Sequence, residues 1–262
     1  MNLNLQNKTA LVCGGSQGLG FASAKELALL GCTVILVSRN AEKLAKVVKE
    51  LPANHSQQHQ YLSIDLSDPS NTKQIITDFL SEGKTIHILV NNAGGPPSAP
   101  LLETGAEEME KSFRTHLITS HILVQLLVPG MKQAGYGRII NIVSTSVKQP
   151  INGLGISNTV RAAVANWAKT LANEIAHFGI TVNNVLPGYT NTNRLEYLFD
   201  KQATDAGVTK EDIVKRTTSA IPAQRLGEPE EFGAAVAFLC SPAAAYINGI
   251  NLPVDGGRTG SL

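Results

Sequence analysis

The sequence has few cysteines, and their positions form no recognisable pattern. Cys13, Cys32 and Cys240 are far apart and odd in number, so they predict neither a disulfide framework nor a zinc cluster and favour a reducing, cytoplasmic compartment. His55 and His59 lie four residues apart in a polar stretch, but no acid or cysteine accompanies them. We therefore predict that the protein binds no metal.

An excess of charge of either sign is also missing, and long hydrophobic runs are absent. Lys and Arg number 22 against 21 Asp and Glu, a balance that predicts no nucleic-acid partner and no contact with a membrane surface. Residues 1–9 lack the pattern of a signal peptide, and no apolar run reaches the roughly 20 residues of a spanning helix. Since 43% of the residues are hydrophobic, the chain can nevertheless build a sizeable core.

Short apolar runs alternate with amphipathic segments along the whole chain. The runs predict seven strands, at Lys8–Gly14, Thr33–Val37, Tyr61–Ile64, Ile86–Val90, Arg138–Val143, Ile180–Leu186 and Ile250–Val254. The segments between them predict helices, two of them long, at about Glu107–Val128 and Leu154–Phe178. This alternation indicates an α/β fold of Rossmann type, with a doubly wound seven-stranded parallel sheet covered by helices on both faces. We expect a single dinucleotide-binding and catalytic domain over 1–262, in which 189–224 form a helical lid over the substrate.

A glycine-rich turn follows the first predicted strand. Gly14, Gly18 and Gly20 frame a segment that also contains Ser16, Gln17 and Leu19. Glycines let the backbone turn tightly and approach a pyrophosphate, which the free N–H groups of the next helix can bind. Because this segment lies between a predicted strand and a predicted helix, it predicts dinucleotide binding. The alternative is an ordinary tight turn, in which glycine is also common.

The end of the second strand carries a cation where NAD-binding proteins of this kind carry an acid. The residues there are Ser38, Arg39 and Asn40. A carboxylate would bind a free ribose 2′-hydroxyl, whereas the guanidinium of Arg39 matches a 2′-phosphate. We therefore favour NADP(H) over NAD(H), although a solvated arginine at the start of a helix remains the alternative.

Further motifs occur in the same order as in a known family. They are Asp65-Leu66, Asn91-Asn92-Ala93-Gly94, Gly137-Arg138-Ile139-Ile140-Asn141-Ile142 leading to Ser144, Pro187-Gly188 and Pro253-Val254-Asp255-Gly256-Gly257. With the glycine turn, they make the chain resemble the short-chain dehydrogenase/reductase family, in its single-domain form of the acyl-carrier-protein reductase type.

The resemblance implies a set of contacts with the cofactor and an assembly. Asp65 and Leu66 would meet the adenine, and Asn92, Ala93 and Gly94 would pass along the ribose. The segment from Pro187 through Gly188 and Thr190 to Thr192 would flank the nicotinamide. A homotetramer or homodimer built on the two long helices is also implied, and Trp167 would be either an interface or a core residue.

In the family a serine, a tyrosine 13 residues later, a lysine four residues further on and an asparagine in the preceding long helix form the catalytic set. Here the serine is Ser144, but the tyrosine position holds Ser157 and the lysine position holds Arg161. His116 takes the place of the asparagine. Three of the four residues of the family's catalytic set are therefore replaced in this sequence.

The altered set still suits carbonyl chemistry. Ser157 and Arg161 lie one helical turn apart, so they can reach one point. Arg161 can bind a ribose hydroxyl but cannot release a proton near neutral pH, and Ser144 with Ser157 can polarise a carbonyl oxygen. The imidazole of His116, with an ordinary pKa near 6.5, is a candidate proton donor. The alternative is a buried histidine bonded to a backbone carbonyl in a kinked helix.

Two classes of function are compatible with these residues. The first is an NADP(H)-dependent oxidoreductase, similar to 3-oxoacyl-acyl-carrier-protein reductases, that acts on a small-molecule carbonyl or alcohol by a rearranged proton path. The second is an NADP(H)-binding sensor or scaffold with little or no catalysis. The cofactor motifs suit both classes. Retention of Ser144 favours the enzyme, whereas loss of the tyrosine and the lysine favours the sensor.

Overall fold

A computed structural model describes residues 1–261, which contain one seven-stranded parallel sheet. The strand order is β3-β2-β1-β4-β5-β6-β7, so the predicted doubly wound fold is confirmed. The order reverses between β1 and β4, which is where such sheets bind ligands. The strands are β1 Thr9–Cys13, β2 Thr33–Ser38, β3 Gln60–Ser63, β4 Ile88–Asn91, β5 Gly137–Ile142, β6 Ile180–Pro187 and β7 Asn251–Val254.

Helices cover both faces of this sheet. In the described part of the chain they are α1 Gly18–Leu29, α2 Ala41–Val47, α3 Pro69–Ser81, α4 Ala106–Phe113, α5 Thr119–Ala134, α6 Gly155–Ile175, α7 Asn193–Ala206, α8 Lys210–Ser219 and α9 Pro229–Cys240. The apolar sides of α1 and α9 pack in one core, and those of α3, α5 and α6 pack in the core on the opposite face. None of these helices is long and apolar enough to cross a membrane.

Strand β1 shows why the short apolar runs form buried strands. Ala10 and Val12 pack in the first core, whereas Leu11 and Cys13 pack in the second. Successive side chains of a strand point to opposite faces, so a strand with helices on both sides is apolar at most of its positions. All four side chains are almost fully buried.

The long helix predicted at about Glu107–Val128 is present without a gap, but it ends later than predicted and contains an irregular turn. Helix α4 ends at Phe113, a π-helical turn spans Arg114–Ile118, and α5 continues to Ala134. At this turn the Thr119 hydroxyl donates to the Leu66 carbonyl at 2.8 Å and to the Arg114 carbonyl at 3.0 Å. The helix is thereby joined to the loop after β3, and the turn places His116 in a buried position.

Residues 189–224 contain helices α7 and α8, as the predicted lid requires. The two helices share a small apolar core made of Leu195, Phe199, Ala203 and Ile213. A capping box begins α8, because the Thr209 hydroxyl accepts from the Asp212 N–H and the Asp212 carboxylate accepts from the Thr209 N–H. Closure of this segment over a substrate remains a prediction.

Candidate active site

The sheet opens into a large cavity at the carboxyl ends of its strands. Its volume is about 980 Å³, which is enough for a dinucleotide and a small substrate. Gly14 after β1, Ser38 at the end of β2, Asn92 after β4, Ile142 of β5 and Pro187 of β6 all contribute to its wall. The topology therefore brings the predicted motifs together.

The glycine turn forms the part of the wall that fits a pyrophosphate. Gly14 and Gly18 have φ angles of 58° and 54°, which lie in the left-handed region where side chains are disfavoured. A Cβ on Gly20 would lie 2.2 Å from the Gly14 carbonyl oxygen. The N-cap residue Gln17 makes no capping hydrogen bond with its side chain in the described part of the chain, so the first N–H groups of α1 remain available to an anion.

The outer end of the cavity is suited to a 2′-phosphate. Ser38, Arg39, Asn40 and Lys43 line it. The hydroxyl oxygen of Ser38 is buried, and among residues 1–261 it has no hydrogen-bond partner. Arg39 lies close enough to Asp65 to help lower the pKa of that carboxyl, although the Ser67 N–H that the carboxyl accepts has the larger effect. A cavity end that is lined by two cations and by a hydroxyl with no partner among residues 1–261 fits a phosphate better than a ribose hydroxyl.

We expect Arg39→Ala to weaken NADPH binding roughly 10- to 100-fold, because a hydrogen bond to a charged group contributes about 1.5–3 kcal/mol. Binding of NADH, which lacks the 2′-phosphate, should change less than threefold. Isothermal titration calorimetry with both cofactors measures this difference. Lys46→Ala is the matched control, since Lys46 is an exposed cation of α2. Equal losses for NADPH and NADH in Arg39→Ala would contradict the assignment.

Arg161 provides a buried cation at the inner end. Only 8% of this residue is exposed. Its Nη1 donates to the Ile142 carbonyl at 2.7 Å, and its Nη2 donates to the Ala93 carbonyl at 3.5 Å. Within residues 1–261 it forms no ion pair with a carboxylate. Burial lowers the pKa of Arg161 to about 10, so the guanidinium is still charged at neutral pH.

His116 lies in the wall near Arg161, but its environment changes its expected chemistry. Burial and the charge of Arg161 lower the pKa of His116 to about 3, although a hydrogen bond from the ring to the Gly94 backbone opposes the shift. The expectation that this imidazole titrates near neutral pH is therefore wrong. The geometry matches the alternative of a buried histidine bonded to the backbone at an irregular helical turn.

This shift makes folding stability depend on pH. In the unfolded chain His116 binds a proton below about pH 6.5, whereas in the folded protein it stays neutral to about pH 3. Stability is therefore lost as the pH falls through this window, by about 2 kcal/mol at pH 5. Because asparagine does not titrate, we expect the His116→Asn variant to lack this pH-dependent decrease in the free energy of unfolding. Urea unfolding from pH 7 to pH 4.5 measures it, with the exposed His55→Asn as the control. If the free energy of unfolding of His116→Asn falls with pH as steeply as that of the wild type, the low pKa of His116 is contradicted.

Comparison with known proteins agrees with the fold. A family model described as "Enoyl-(Acyl carrier protein) reductase" matches residues 14–259. The chain belongs to the short-chain dehydrogenase/reductase family. A 3-oxoacyl-[acyl-carrier-protein] reductase FabG of Vibrio cholerae is 34% identical to it over 257 residues, which cover 97% of this chain and 98% of that protein.

Other members of the short-chain dehydrogenase/reductase family are similar over the whole chain. The NADPH-dependent reductase BacG of Bacillus subtilis is 30% identical, with 98% of this chain and 100% of BacG covered. A crystal structure of L-sorbose reductase from Gluconobacter frateurii, complexed with NADPH and L-sorbose, superposes with a TM-score of 0.93. That enzyme is 28% identical, and the match covers 100% of both chains.

Most of the site residues predicted from the family motifs lie in the wall of the cavity. They are Gly14, Ser16, Gln17, Gly18, Leu19, Ser38, Arg39, Asn40, Asp65, Leu66, Asn92, Ala93, Gly94, His116, Arg161, Pro187 and Thr192. The wall does not include Gly188 or Thr190. The Gly188 N–H donates to Val254 in the sheet, and Thr190 is buried against Gly227. Their backbones therefore hold the end of β6 in place.

Ser144 and Ser157 also lie outside the wall of the large cavity. The hydroxyl oxygen of Ser144 accepts the Ser146 N–H at 3.1 Å, which leaves the hydroxyl hydrogen free to be donated. Ser157 is half-buried in the first turn of α6, one turn before Arg161. Their contact with a substrate remains a prediction of the family motif.

Several residues of the wall were not predicted from the sequence. Lys43, Lys111 and Thr115 line the cavity, although nothing in their helical patterns distinguishes them from surface positions. Arg194, a cation at the start of α7 that could meet an anionic substrate, lines it as well. Tyr189, the tyrosine that directly follows the Pro187-Gly188 motif, does not line the cavity. Its ring packs near Phe199 and under the Arg258 guanidinium.

Proposed function

We propose that this protein is an NADP(H)-dependent oxidoreductase that interconverts a carbonyl and a hydroxyl group of a small molecule, in the manner of 3-oxoacyl-acyl-carrier-protein reductases. One observation carries the proposal, namely a cavity with Arg39 and Ser38 at one end and the buried cation Arg161 at the other, where neither the Ser38 hydroxyl nor the Arg161 charge has a hydrogen-bonding or carboxylate partner, respectively, within residues 1–261. The first end suits the 2′-phosphate of NADP(H). The second suits the negative charge that develops when a carbonyl is reduced.

The residues that would hold the cofactor follow the cavity from end to end. Arg39 and Ser38 would bind the 2′-phosphate, Asp65 and Leu66 would meet the adenine, and the first amides of α1 would bind the pyrophosphate. Arg161 would contact the nicotinamide ribose. When bound, the reduced nicotinamide supplies a hydride to the carbonyl carbon.

The chain's own groups then stabilise the substrate oxygen. As the carbonyl becomes an alkoxide, the Arg161 charge lowers the energy of the developing anion, since charges interact more strongly in a buried site than in water. The Ser144 hydroxyl is free to donate because its oxygen accepts from the Ser146 N–H. Ser144 and Ser157 would act together as donors to the substrate oxygen.

The proton that accompanies the hydride needs another route than the family's tyrosine. A serine hydroxyl is too weak an acid to be the final source, and Arg161 keeps its proton at neutral pH. His116 is neutral there, so it acts as a hydrogen-bonding group and not as a store of protons. We infer that Ser157, which is half-buried, relays a proton from solvent to the alkoxide.

The test is NADPH oxidation against a broad panel of carbonyl compounds, with wild type and the double variant Ser157→Tyr/Arg161→Lys in parallel. Turnover by the wild type that is lost in the double variant would support a specialised site. Turnover that arises only in the double variant would contradict the proposal. It would support an NADP(H)-binding sensor or scaffold, which the absence of the family's tyrosine and lysine favours.

We also propose that the protein is a cytoplasmic homotetramer or homodimer assembled through its long helices. Ile118, which is 47% exposed, and Trp167, which is half-buried, support this arrangement. The Trp167 ring N–H donates to His121 at 3.3 Å, so α5 and α6 form one continuous surface at this point. Sedimentation velocity would determine the assembly, and a monomer at micromolar concentration would contradict it.

A further inference from the structure

A proline-rich loop follows β4 and forms part of the wall of the large cavity. It spans residues 95–101, and we call it the β4 loop. Its first three residues, Gly95, Pro96 and Pro97, line the cavity. Three of the seven residues of this loop are prolines, which have no backbone N–H to donate, so the loop can form few hydrogen bonds of its own. Its position therefore depends on contacts with other parts of the chain.

Helix α6 holds this loop near both of its ends. The Arg161 Nη2 donates to the carbonyl of Ala93, two residues before the loop, at 3.5 Å. Near the other end Ala99 forms a parallel β-bridge with Leu154, and the Gly155 N–H donates to the Ala99 carbonyl at 3.2 Å. The start of α6 therefore fixes the part of the loop that is farthest from β4.

The β4 loop packs against the start of α6 without room for a side chain between them. A Cβ on Gly155 would lie 2.8 Å from the Leu101 Cα and 2.9 Å from the Leu101 backbone nitrogen. Such a contact between backbone atoms leaves no flexible side chain to absorb a movement, so it transmits displacement from one segment to the other. A shift in the first turn of α6 must therefore move the loop.

The first turn of α6 is held by an asparagine inside the helix instead of an N-cap side chain. Leu154, the N-cap residue, makes no side-chain capping bond in the described part of the chain. The Oδ1 of Asn158 accepts the Ile151 N–H at 3.3 Å, and the Nδ2 of Asn158 donates to the Ile151 carbonyl at 2.9 Å. One side chain thus pairs with both backbone groups of Ile151, as a neighbouring strand would. We call this pair of hydrogen bonds the Asn158 clamp.

The clamp closes the turn from Ile151 to Leu154 onto the helix. The Leu154 N–H donates to the Ile151 carbonyl at 3.2 Å, so the residue that bridges the β4 loop is tied to the same carbonyl that the clamp holds. Ser157 precedes Asn158 in the same helical turn. Loss of the clamp should therefore release the β4 loop and the Ser157 hydroxyl together.

We propose that Asn158 is a positioning residue that determines which carbonyl substrates fit the cavity. Asn158 itself is half-buried and does not line the large cavity. It acts on the β4 loop through the turn at Ile151 and Leu154, and on Ser157 through the first turn of α6. The clamp and its effect on the loop rest on geometry, whereas the effect on substrate choice rests on the proposed function.

Hydrogen exchange measured by mass spectrometry tests the clamp without any turnover. In Asn158→Ala we expect the amides of residues 95–101 and 151–155 to exchange at least about 10-fold faster than in the wild type, the scale of two lost neutral hydrogen bonds. Asn152→Ala is the matched control, because Asn152 is an exposed asparagine of the same turn, and it should exchange as the wild type does. Unchanged exchange in Asn158→Ala would overturn the proposal.

A second variant tests the link between α6 and the loop and does not remove the clamp. Gly155→Ala places a methyl group against the Leu101 backbone. It should accelerate exchange in residues 95–101 and leave the Ile151 amide protected. If exchange in residues 95–101 stays at the wild-type rate, α6 does not position the loop and the proposal fails, whether or not Asn158→Ala folds.

The role in substrate choice has its own readout in steady-state kinetics. For Asn158→Ala we expect kcat/KM for the preferred carbonyl compound to fall roughly tenfold. For a homologue with a bulkier group beside the carbonyl it should fall less than threefold, because a released loop can move aside. The Kd of NADPH should change less than twofold.

Loss of folded protein alone would lower kcat/KM equally for both substrates, so the ratio of the two values separates positioning from a general structural effect. Equal losses in Asn158→Ala would refute the role in substrate choice. If the wild type turns over no carbonyl compound, the proposed function fails, and hydrogen exchange alone decides whether the clamp holds the loop.

Discussion

Replacement of Arg161 by leucine is expected to reduce kcat/KM for NADPH-dependent carbonyl reduction at least about 100-fold, the usual effect of removing one preorganised donor to a developing anion. Arg161 is the buried cation at the inner end of the cavity, and no carboxylate within residues 1–261 pairs with it. Its charge is therefore available to the substrate oxygen and to the ribose. Leucine fills a similar volume but stabilises neither.

The same substitution should leave the fold intact. The folded protein bears the cost of burying this charge, since burial lowers the pKa of Arg161 from 12.5 to about 10, which corresponds to roughly 3 kcal/mol at neutral pH. In Arg161→Leu this free-energy cost of burying a charge disappears, which offsets the loss of the hydrogen bonds to the Ile142 and Ala93 carbonyls. Both residues line the cavity, so water can solvate their carbonyls. We therefore expect a melting temperature within a few degrees of that of the wild type.

Arg138→Leu is the matched control for this prediction. Arg138 is also buried, at 3% exposure, and it also donates to carbonyls, those of Gly137 and Gly179. It lies at the opposite end of β5, outside the cavity. Arg138→Leu should therefore change stability and leave kcat/KM for the folded fraction near the wild-type value. Equal losses of kcat/KM in the two variants would mean that Arg161 acts through general packing and not through its charge at the site.

The sheet was predictable from the sequence because its signal is local. A strand buried on both faces is mainly apolar, as Ala10–Cys13 of β1 are, so short apolar runs that alternate with helices suffice to predict the parallel sheet. The glycine turn and Arg39 were predictable for a related reason. The conformational freedom of glycine and the charge of arginine are properties of the single residues and need no partner elsewhere in the chain. Because both segments follow a strand, the fold brings them to the edge of the sheet where ligands bind.

The properties of the inner site depend on contacts between distant parts of the chain. The π-helical turn at His116 is supported by a hydrogen bond from Thr119 to Leu66, 53 residues away. The low pKa of His116 results from burial first and then from the charge of Arg161, which belongs to another helix. The hydrogen-bonded row of asparagine side chains from Asn91 to Asn251 exists only because β4, β5, β6 and β7 align in register. No periodicity within one segment carries this information, so these features required the structure.

Substitution of Gly20 by valine is expected to abolish detectable NADPH binding, with the Kd raised more than about 100-fold because backbone atoms cannot move aside as a flexible side chain can. A Cβ at this position would lie 2.2 Å from the Gly14 carbonyl oxygen and 2.7 Å from the Asn92 side-chain nitrogen. Relief of the clash must displace the glycine turn from the start of α1. The amides that would bind the pyrophosphate then no longer converge on one point.

Calorimetric titration with NADPH measures this loss, and circular dichroism checks that the sheet and helices persist. Gly105→Val is the matched control, because Gly105 has a φ of −70° and a Cβ there would meet no atom within 4 Å among residues 1–261, so the same side chain enters open space. Gly105→Val should bind NADPH as the wild type does. If a folded Gly20→Val variant binds NADPH with a Kd within threefold of the wild-type value, cofactor binding does not depend on the close packing of the glycine turn against α1. The assignment of the large cavity to a dinucleotide would then lose its main support.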